Sequence, residues 1–272
     1  MESCTVIKCG GSTLDALPSS FYKTLADLQR AGNKIVIVHG GGPAINQTLE
    51  KLNIPVKFVD GLRYTCEDTI KVVEMVLGGV TNKQIVRRLH QAGARAWGIC
   101  GSDGGFIQAK QTDKPLGLVG EIVHIKESMV HNLLSLGHIP VIAPIGVSTE
   151  FNQAFNINAD VAAGAIASAI GAKRLLLVTD VPGILKSEAD GMKQLIPEIG
   201  PKGIQELISS GVIYGGMIPK VQSALDALQQ GVPEVTICQG KDEDLRNLIA
   251  GKPVGTSIKR DYDSSNQEKE AM

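Results

Sequence analysis

The chain has 272 residues, 43% hydrophobic and 20% charged, with 27 basic side chains against 28 acidic ones for a formal net charge of -1. That balance argues against a nucleic-acid polyanion as principal partner, and the length supports a core that needs no disulfide or metal staple. Five scattered cysteines, Cys4, Cys9, Cys66, Cys100 and Cys238, none spaced Cys-x-x-Cys, weigh against a disulfide framework or a zinc site and suit a reducing compartment.

In chain order, Thr5-Val6-Ile7 reads as a buried strand that ends on Lys8 and is followed by Cys9-Gly10-Gly11. Open α/β sheets bind ligands at the carboxyl ends of their strands, so Lys8 is a candidate anion ligand rather than a snorkelling surface lysine. Ile35 to Val38 form a second strand, followed by His39-Gly40-Gly41-Gly42. Glycines there let backbone approach a ligand and aim N–H groups at an anion. Pro43 suits the first turn of a helix whose apolar face is Ile45, Leu49 and Leu52. His39 reads as a structural or capping residue rather than a base.

Val56 to Val59 and Leu62 to Thr65 flank Asp60-Gly61, a strong hairpin signal. Arg63 lies just beyond that turn, where its guanidinium would either grip a carboxylate through two parallel hydrogen bonds or sit exposed. Ile70, Val73, Val76 and Leu77 carry helical spacing. Phe106 to Lys110 and Gly117 to His124 suggest a second antiparallel piece, and Val141-Ile142-Ala143 another buried strand.

Asn156, Asn158 and Asp160 alternate before the small-residue helix 161–170. Asn158 is a natural N-cap and Asp160 suits the first turn, but capping accounts for one such side chain, not three. Leu175 to Val178 form a further strand, with Thr179-Asp180-Val181-Pro182-Gly183-Ile184 at its carboxyl end, a sensible nucleotide position. Gly215-Gly216-Met217 then leads through Pro219 into a helix closed by Gly231. Lys220 sits where the helix dipole disfavours positive charge and so needs an anion.

Repeated strand–helix alternation with near-continuous apolar strands argues for α/β, a mostly parallel sheet covered by helices on both faces. The segment 261–272 is polar and expected to be disordered. A division into two lobes is expected near Gly171, 1–171 and 172–260. No apolar stretch approaches the 18 or so residues of a membrane span and no leader-like segment opens the chain, so a cytoplasmic protein is expected. No Gly-x-x-x-x-Gly-Lys-[Ser/Thr] string occurs, and no dinucleotide fingerprint follows the first strand, which sets aside Walker-type NTPases and dehydrogenases.

Taken in this order and spacing, the segments resemble the amino acid kinase family over Thr5 to about Lys259. Within it, His39 to Pro43, Gly61 to Thr65, Asn156 to Asp160 and Gly215 to Val221 are similar to the branch that phosphorylates the side-chain carboxylate of N-acetyl-L-glutamate in arginine biosynthesis. The resemblance implies an open three-layer αβα sandwich, usually a homodimer joined through the amino-terminal lobe. It implies that Lys8 and Lys220 stabilise the transferring phosphoryl group and that Asp160 holds both lysines. Gly41, Gly42, Arg63, Asn156 and Asn158 would contact the acid. Gly10, Gly11, Thr179, Asp180, Val181, Gly183, Ile184 and Leu185, with Gly215, Gly216 and Met217, would line the ATP site, Mg²⁺ arriving on the nucleotide and no cofactor staying bound. Arginine-inhibited hexameric members carry an extra amino-terminal helix that this sequence does not show, so neither property is expected. Cys9 stands where many relatives have a larger residue. The rivals are a sibling kinase acting on glutamate, an aminoadipate-type acid or UMP, and a non-catalytic module that kept the fold. Lys8, Asp160 and Lys220 being present argues against the last.

Overall fold

The computed structural model describes residues 4–260 apart from Ser12, Asp15 and 188–191, so the expected disordered tail lies outside the described residues. From the amino terminus, β1 (Cys4–Cys9) leads through α1 (Ser19–Arg30) to β2 (Lys34–His39) and α2 (Gly42–Lys51). A hairpin of β3 (Phe58–Val59) and β4 (Leu62–Arg63) follows. A helical rod then combines α3 (Glu67–Val73), a π-helical segment (Glu74–Thr81) and α4 (Asn82–Gln91). Next come β5 (Ala96–Cys100), the antiparallel pair β6 (Ile107–Gln111) and β7 (Gly120–Ile125), α5 (Glu127–Ser135) and β8 (Ile139–Ala143). β9 (Ile145–Val147) and β10 (Ala154–Asn156) lead into α6 (Ala159–Ala169) and β11 (Arg174–Val178). The remainder is β12 (Leu185–Ser187), β13 (Lys193–Leu195), β14 (Glu198–Ile199), α7 (Pro201–Ser209), α8 (Met217–Gln229), β15 (Glu234–Cys238), α9 (Asp242–Ile249) and β16 (Thr256–Lys259).

The main sheet has eight strands in the order β14-β16-β15-β11-β1-β2-β8-β5. From β15 to β5 every pairing is parallel, and β16 runs antiparallel to β15. Strand order departs in opposite directions from β1, towards β2 on one side and β11 on the other. The crevice at their carboxyl ends is therefore a topological switch point, where such sheets bind ligands. A four-stranded sheet, β10-β9-β6-β7, stands beside the main one.

Side chains alternate across the main sheet. Cys4 and Val6 of β1 and Val36 and Val38 of β2 enter a core shared with α5, α6 and α8, whereas Ile7, Cys9, Ile35 and Ile37 enter one shared with α1, α4 and α9. This alternation accounts for Cys9: it is buried on the α1/α9 side in one cluster with Val178 and Cys238, and burial pushes its thiol up to about 12. A small apolar side chain that stays protonated fits that place.

Three expectations are adjusted. The hairpin forms with Asp60 and Gly61 both at positive φ (50° and 77°), as a type I′ turn requires, but its ladder is short. Thr65 leaves it to pair elsewhere: its N–H donates to Leu116 O at 2.9 Å and its carbonyl accepts from Leu118 N at 2.6 Å. Leu52 follows the last residue of α2 and is 52% exposed, so it does not extend the apolar face of that helix. The helix spaced by Ile70, Val73, Val76 and Leu77 passes into π geometry, an extra backbone unit per turn that hydrophobic spacing does not register.

Candidate active site

Lys8 belongs to the β1 face that α6 covers, so the end of the strand meets the start of the helix. Asn158 caps that helix, its Oδ1 accepting the backbone N–H groups of Asp160 (2.8 Å) and Val161 (3.2 Å). With capping done by Asn158, the Asp160 carboxylate is free to turn to the strand. Its Oδ1 lies 2.8 Å from Lys8 Nζ, and the lysine is only 8% exposed. Oδ1 has no aligned hydrogen bond among the described residues, so the contact is one of charge and leaves acceptor capacity for a further donor.

The two glycine loops close over this pair. A Cβ on Gly11 would stand 2.7 Å from the nitrogens of both Gly41 and Gly42, and one on Gly40 would stand 3.2 Å from Gly11 N and 3.7 Å from Ala159 Cβ. Backbones this close exclude any side chain. Gly40 N–H is spent on Cys9 O at 3.0 Å, but among the described residues no acceptor takes the N–H groups of Gly11, Gly41 or Gly42. Gly41 and Gly42 open α2, so free donors and the positive end of the helix dipole coincide.

Arg63 is 8% exposed, not the surface side chain its hairpin position allowed. Its Nη2 donates to Asn46 Oδ1 at 2.5 Å and to Gly42 O at 3.3 Å, and the guanidinium stacks 4.8 Å above the Phe58 ring. Nη1 is buried and has no partner among the described residues. Burial draws the Arg63 pKa below its ordinary value, and an unspent buried guanidinium donor calls for an anion. Asn156 Nδ2 donates to Thr65 Oγ1 at 3.1 Å, and Thr65 Oγ1 donates to Arg63 O at 3.1 Å, so β10, the hairpin and the strap at 116–118 form one unit. Sequence reasoning missed Asn46 and Thr65. Asn46 carries no periodic signal on α2, and Thr65, though part of the 61–65 segment that carries the resemblance, was given no role of its own.

On the other side of β1, Thr179 is buried at the end of β11 and its hydroxyl donates to Asp180 Oδ1 at 2.8 Å. That bond above all, with help from the Lys220 ammonium, holds the Asp180 carboxyl below the usual range. Val181, just past β11, and Met217, the first residue of α8, line one cavity, so the two elements meet here. A cavity of about 690 Å³ opens here between Thr179, Asp180, Gln239 and Lys241. A second, of about 370 Å³, is lined by Val181, Gly183, Ile184, Leu185, Tyr214 and Met217. Gly215, at φ 55°, and Gly216 have open space around them.

Lys220 departs from expectation. Its Nζ donates to Gly216 O at 3.2 Å, the carbonyl at the start of its own helix, and among the described residues no ion pair joins it to Asp160. Asp160 therefore holds Lys8 alone in this state. His39 is buried and neutral, as a structural residue should be, with burial drawing its pKa down to about 4.

Residues 3–239 match the sequence profile of the amino acid kinase family. The chain is 54% identical over 259 residues to an acetylglutamate kinase of Brevibacillus brevis, spanning 95% of this chain and 98% of that one. It is 48% identical over 261 residues to an acetylglutamate kinase of Halalkalibacterium halodurans, spanning 96% and 97%. Among solved structures, smu.665 from Streptococcus mutans superposes with a TM-score of 0.83 at 34% identity, covering 96% of this chain and all of that one. Sequence match and superposition both run through the strand ends just described, and the chain belongs to the amino acid kinase family.

Proposed function

We infer that the chain transfers the terminal phosphoryl group of ATP to the side-chain carboxylate of N-acetyl-L-glutamate, giving N-acetyl-L-glutamyl 5-phosphate, an early step of arginine biosynthesis. The observation that carries this reading is the Lys8–Asp160 ion pair beside two glycine loops in which the N–H groups of Gly11, Gly41 and Gly42 have no acceptor among the described residues. It is supported by relatives named for that activity at 54% and 48% identity over nearly the whole chain.

A carboxylate is already ionised at neutral pH, so its oxygen attacks the terminal phosphorus without a base while the bond to the bridging oxygen breaks and ADP departs. The protein's task is to gather and steady negative charge. In this reading Lys8 and the N–H groups of Gly11, Gly41 and Gly42 face the transferring group, and Asp160 keeps Lys8 in place. Arg63 offers its free Nη1 to a carboxylate of the acid, with Asn156 and Asn158 alongside. The apolar cavity at Val181, Gly183, Ile184, Leu185 and Met217 takes the base of ATP, and Gly10, Thr179, Asp180, Gly215 and Gly216 border its phosphates. Mg²⁺ travels with those phosphates and neutralises part of their charge.

Lys220 completes the site by leaving Gly216 O for the phosphoryl oxygens. That movement brings the lobe at 172–260 onto the lobe at 1–171. We take the assembly to be a homodimer formed through the amino-terminal lobe, where β5 is an open sheet edge with Trp97 54% exposed. The same reading places the enzyme in the cytoplasm; among the described residues no helix is long and apolar enough to cross a membrane.

ATP-dependent trapping of acyl phosphate by hydroxylamine tests the reaction, with N-acetylglutamate, glutamate, aspartate and aminoadipate supplied singly and UMP phosphorylation assayed in parallel. Hydroxamate from N-acetylglutamate alone is expected. Product from another acid or from UMP in its place would transfer the assignment to a sibling activity.

A further inference from the structure

His39 ends β2 on the face opposite Val36 and Val38, so its ring enters the layer occupied by α4. Both ring nitrogens are engaged there. Nδ1 lies 3.0 Å from the Gly40 carbonyl and Nε2 lies 3.2 Å from Asn82 Nδ2. A carbonyl can only accept, so Nδ1 carries the hydrogen and Nε2 accepts from the amide. The Asn82 amide is oriented independently. Its other Nδ2 hydrogen goes to Val141 O at 2.9 Å, with Ile99 O farther off at 3.3 Å, and its Oδ1 accepts from Lys83 Nζ at 3.0 Å. Lys83 Nζ also donates to Gly98 O at 2.9 Å. Gly98 has no side chain for a visible reason: a Cβ there would collide with Asn82 Oδ1 and stand 2.9 Å from Lys83 Nζ.

We propose that His39, held by Asn82 and Lys83, is a positioning residue for phosphoryl transfer, its Nδ1–H fixing the Gly40 carbonyl and with it the direction of the Gly41 N–H. The proposal rests on reading the glycine loops as the phosphoryl site. In a planar trans peptide the C=O and N–H point opposite ways, so a tethered Gly40 carbonyl turns the Gly41 N–H away from His39. Gly41 N lies beside Gly11, and the two loops adjoin the ion pair: a Cβ on Gly10 would stand 3.9 Å from Lys8 Nζ and one on Gly40 3.7 Å from Ala159 Cβ, next to Asp160. Three successive glycines have more backbone freedom than any other tripeptide. Untethered, the peptide could present its carbonyl where a donor is needed. The ring is not a base here, because both nitrogens are committed and burial keeps it neutral.

Two near-isosteric variants separate the ring's two bonds. Asparagine at 39 sets its amide nitrogen near the position of Nδ1 and keeps a donor for Gly40. Glutamine sets its terminal oxygen near Nε2, keeping a partner for Asn82 but losing the donor to Gly40. His39→Gln is expected to lower kcat by roughly 10²-fold, the scale of losing one preorganised donor, with KM for ATP and for the acid within about 3-fold. His39→Asn should recover turnover to within about 10-fold of wild type despite the lost Asn82 contact. Gly98→Ala, which displaces Asn82 without altering β2, should also lower kcat more than it raises KM. Equal kcat losses in the two His39 variants that track their thermal unfolding, or unchanged kcat in folded His39→Gln, would overturn the proposal. The ratios are measured with whichever acceptor the wild type phosphorylates. Failure of the wild type on N-acetylglutamate therefore counts against the parent reading alone.

Discussion

A lysine that is 8% exposed, its Nζ 2.8 Å from a carboxylate, has a fixed position, whereas among the described residues the hydrogen bond of Lys220 Nζ goes to a carbonyl of its own helix. The two lysines should therefore respond differently to deletion. Lys8→Ala strands the Asp160 carboxylate, which is only partly reached by solvent, and should cost both turnover, by roughly 10²–10³-fold, and stability, by about 2 kcal/mol. Lys220→Ala should cost turnover on the same scale with the melting temperature almost unchanged. Measuring kcat and thermal unfolding on both variants separates the roles, and equal losses of stability would count against the asymmetry of their contacts. Arg63→Ala removes the buried Nη1 that has no partner among the described residues, and should raise KM for the acid by roughly 10-fold or more, as losing a charged hydrogen bond implies. An unchanged KM would show that this nitrogen faces no substrate.

Loops meet at this site through backbone alone, which makes the glycine positions brittle. Gly11→Ala would force a Cβ to within 2.7 Å of the Gly41 and Gly42 nitrogens and 2.9 Å of Gly41 Cα. Since backbone cannot yield as a flexible side chain can, the β1 and β2 loops must part. The expected result is a folded protein with turnover down by about 10²-fold or more, and near-normal turnover would mean that the loops are not packed as described. The elements behind this site were legible because each ends a buried apolar run: Lys8 after Ile7, His39 after Val38, Thr179 after Val178. A strand covered on both faces has only its carboxyl end free for polar work, so strand ends mark the site directly. The helix start at Asn158 was legible from capping chemistry. The pairing of Asp160 with Lys8 but not Lys220 was not, since it depends on where α8 sits relative to α6. Asn46, and the contacts of Thr65, escaped for a related reason: contacts across helix, hairpin and strap leave no trace in local spacing.

Across the molecule, the buried His39 and Asn82, with Lys83 at the surface, tie β2, β8, β5 and α4 together, and the protonation chemistry of the ring should show in global stability. Burial penalises the cation and draws the pKa of the native imidazole from the ordinary 6.5 down to about 4. Between those values the unfolded chain binds a proton that the native state refuses. The contribution is thus complete above pH 6.5 and fades as pH falls through the window towards 4, by about 3 kcal/mol in all. Urea unfolding at pH 7.5 and pH 4.5 should show wild type losing more stability than His39→Asn by roughly that amount. Parallel losses would mean that the ring is not held neutral. The π-helical stretch Glu74–Thr81 bears on the same knot, since Asn82 is the first residue after it. Each residue in a helix advances the chain by about 100°. Excising Gly79 would therefore swing Asn82 off strands β5 and β8 and spin Ile85 and Leu89 out of the core. The surplus backbone unit acts as a phase offset, dialling which side chain comes to rest against the end of β2.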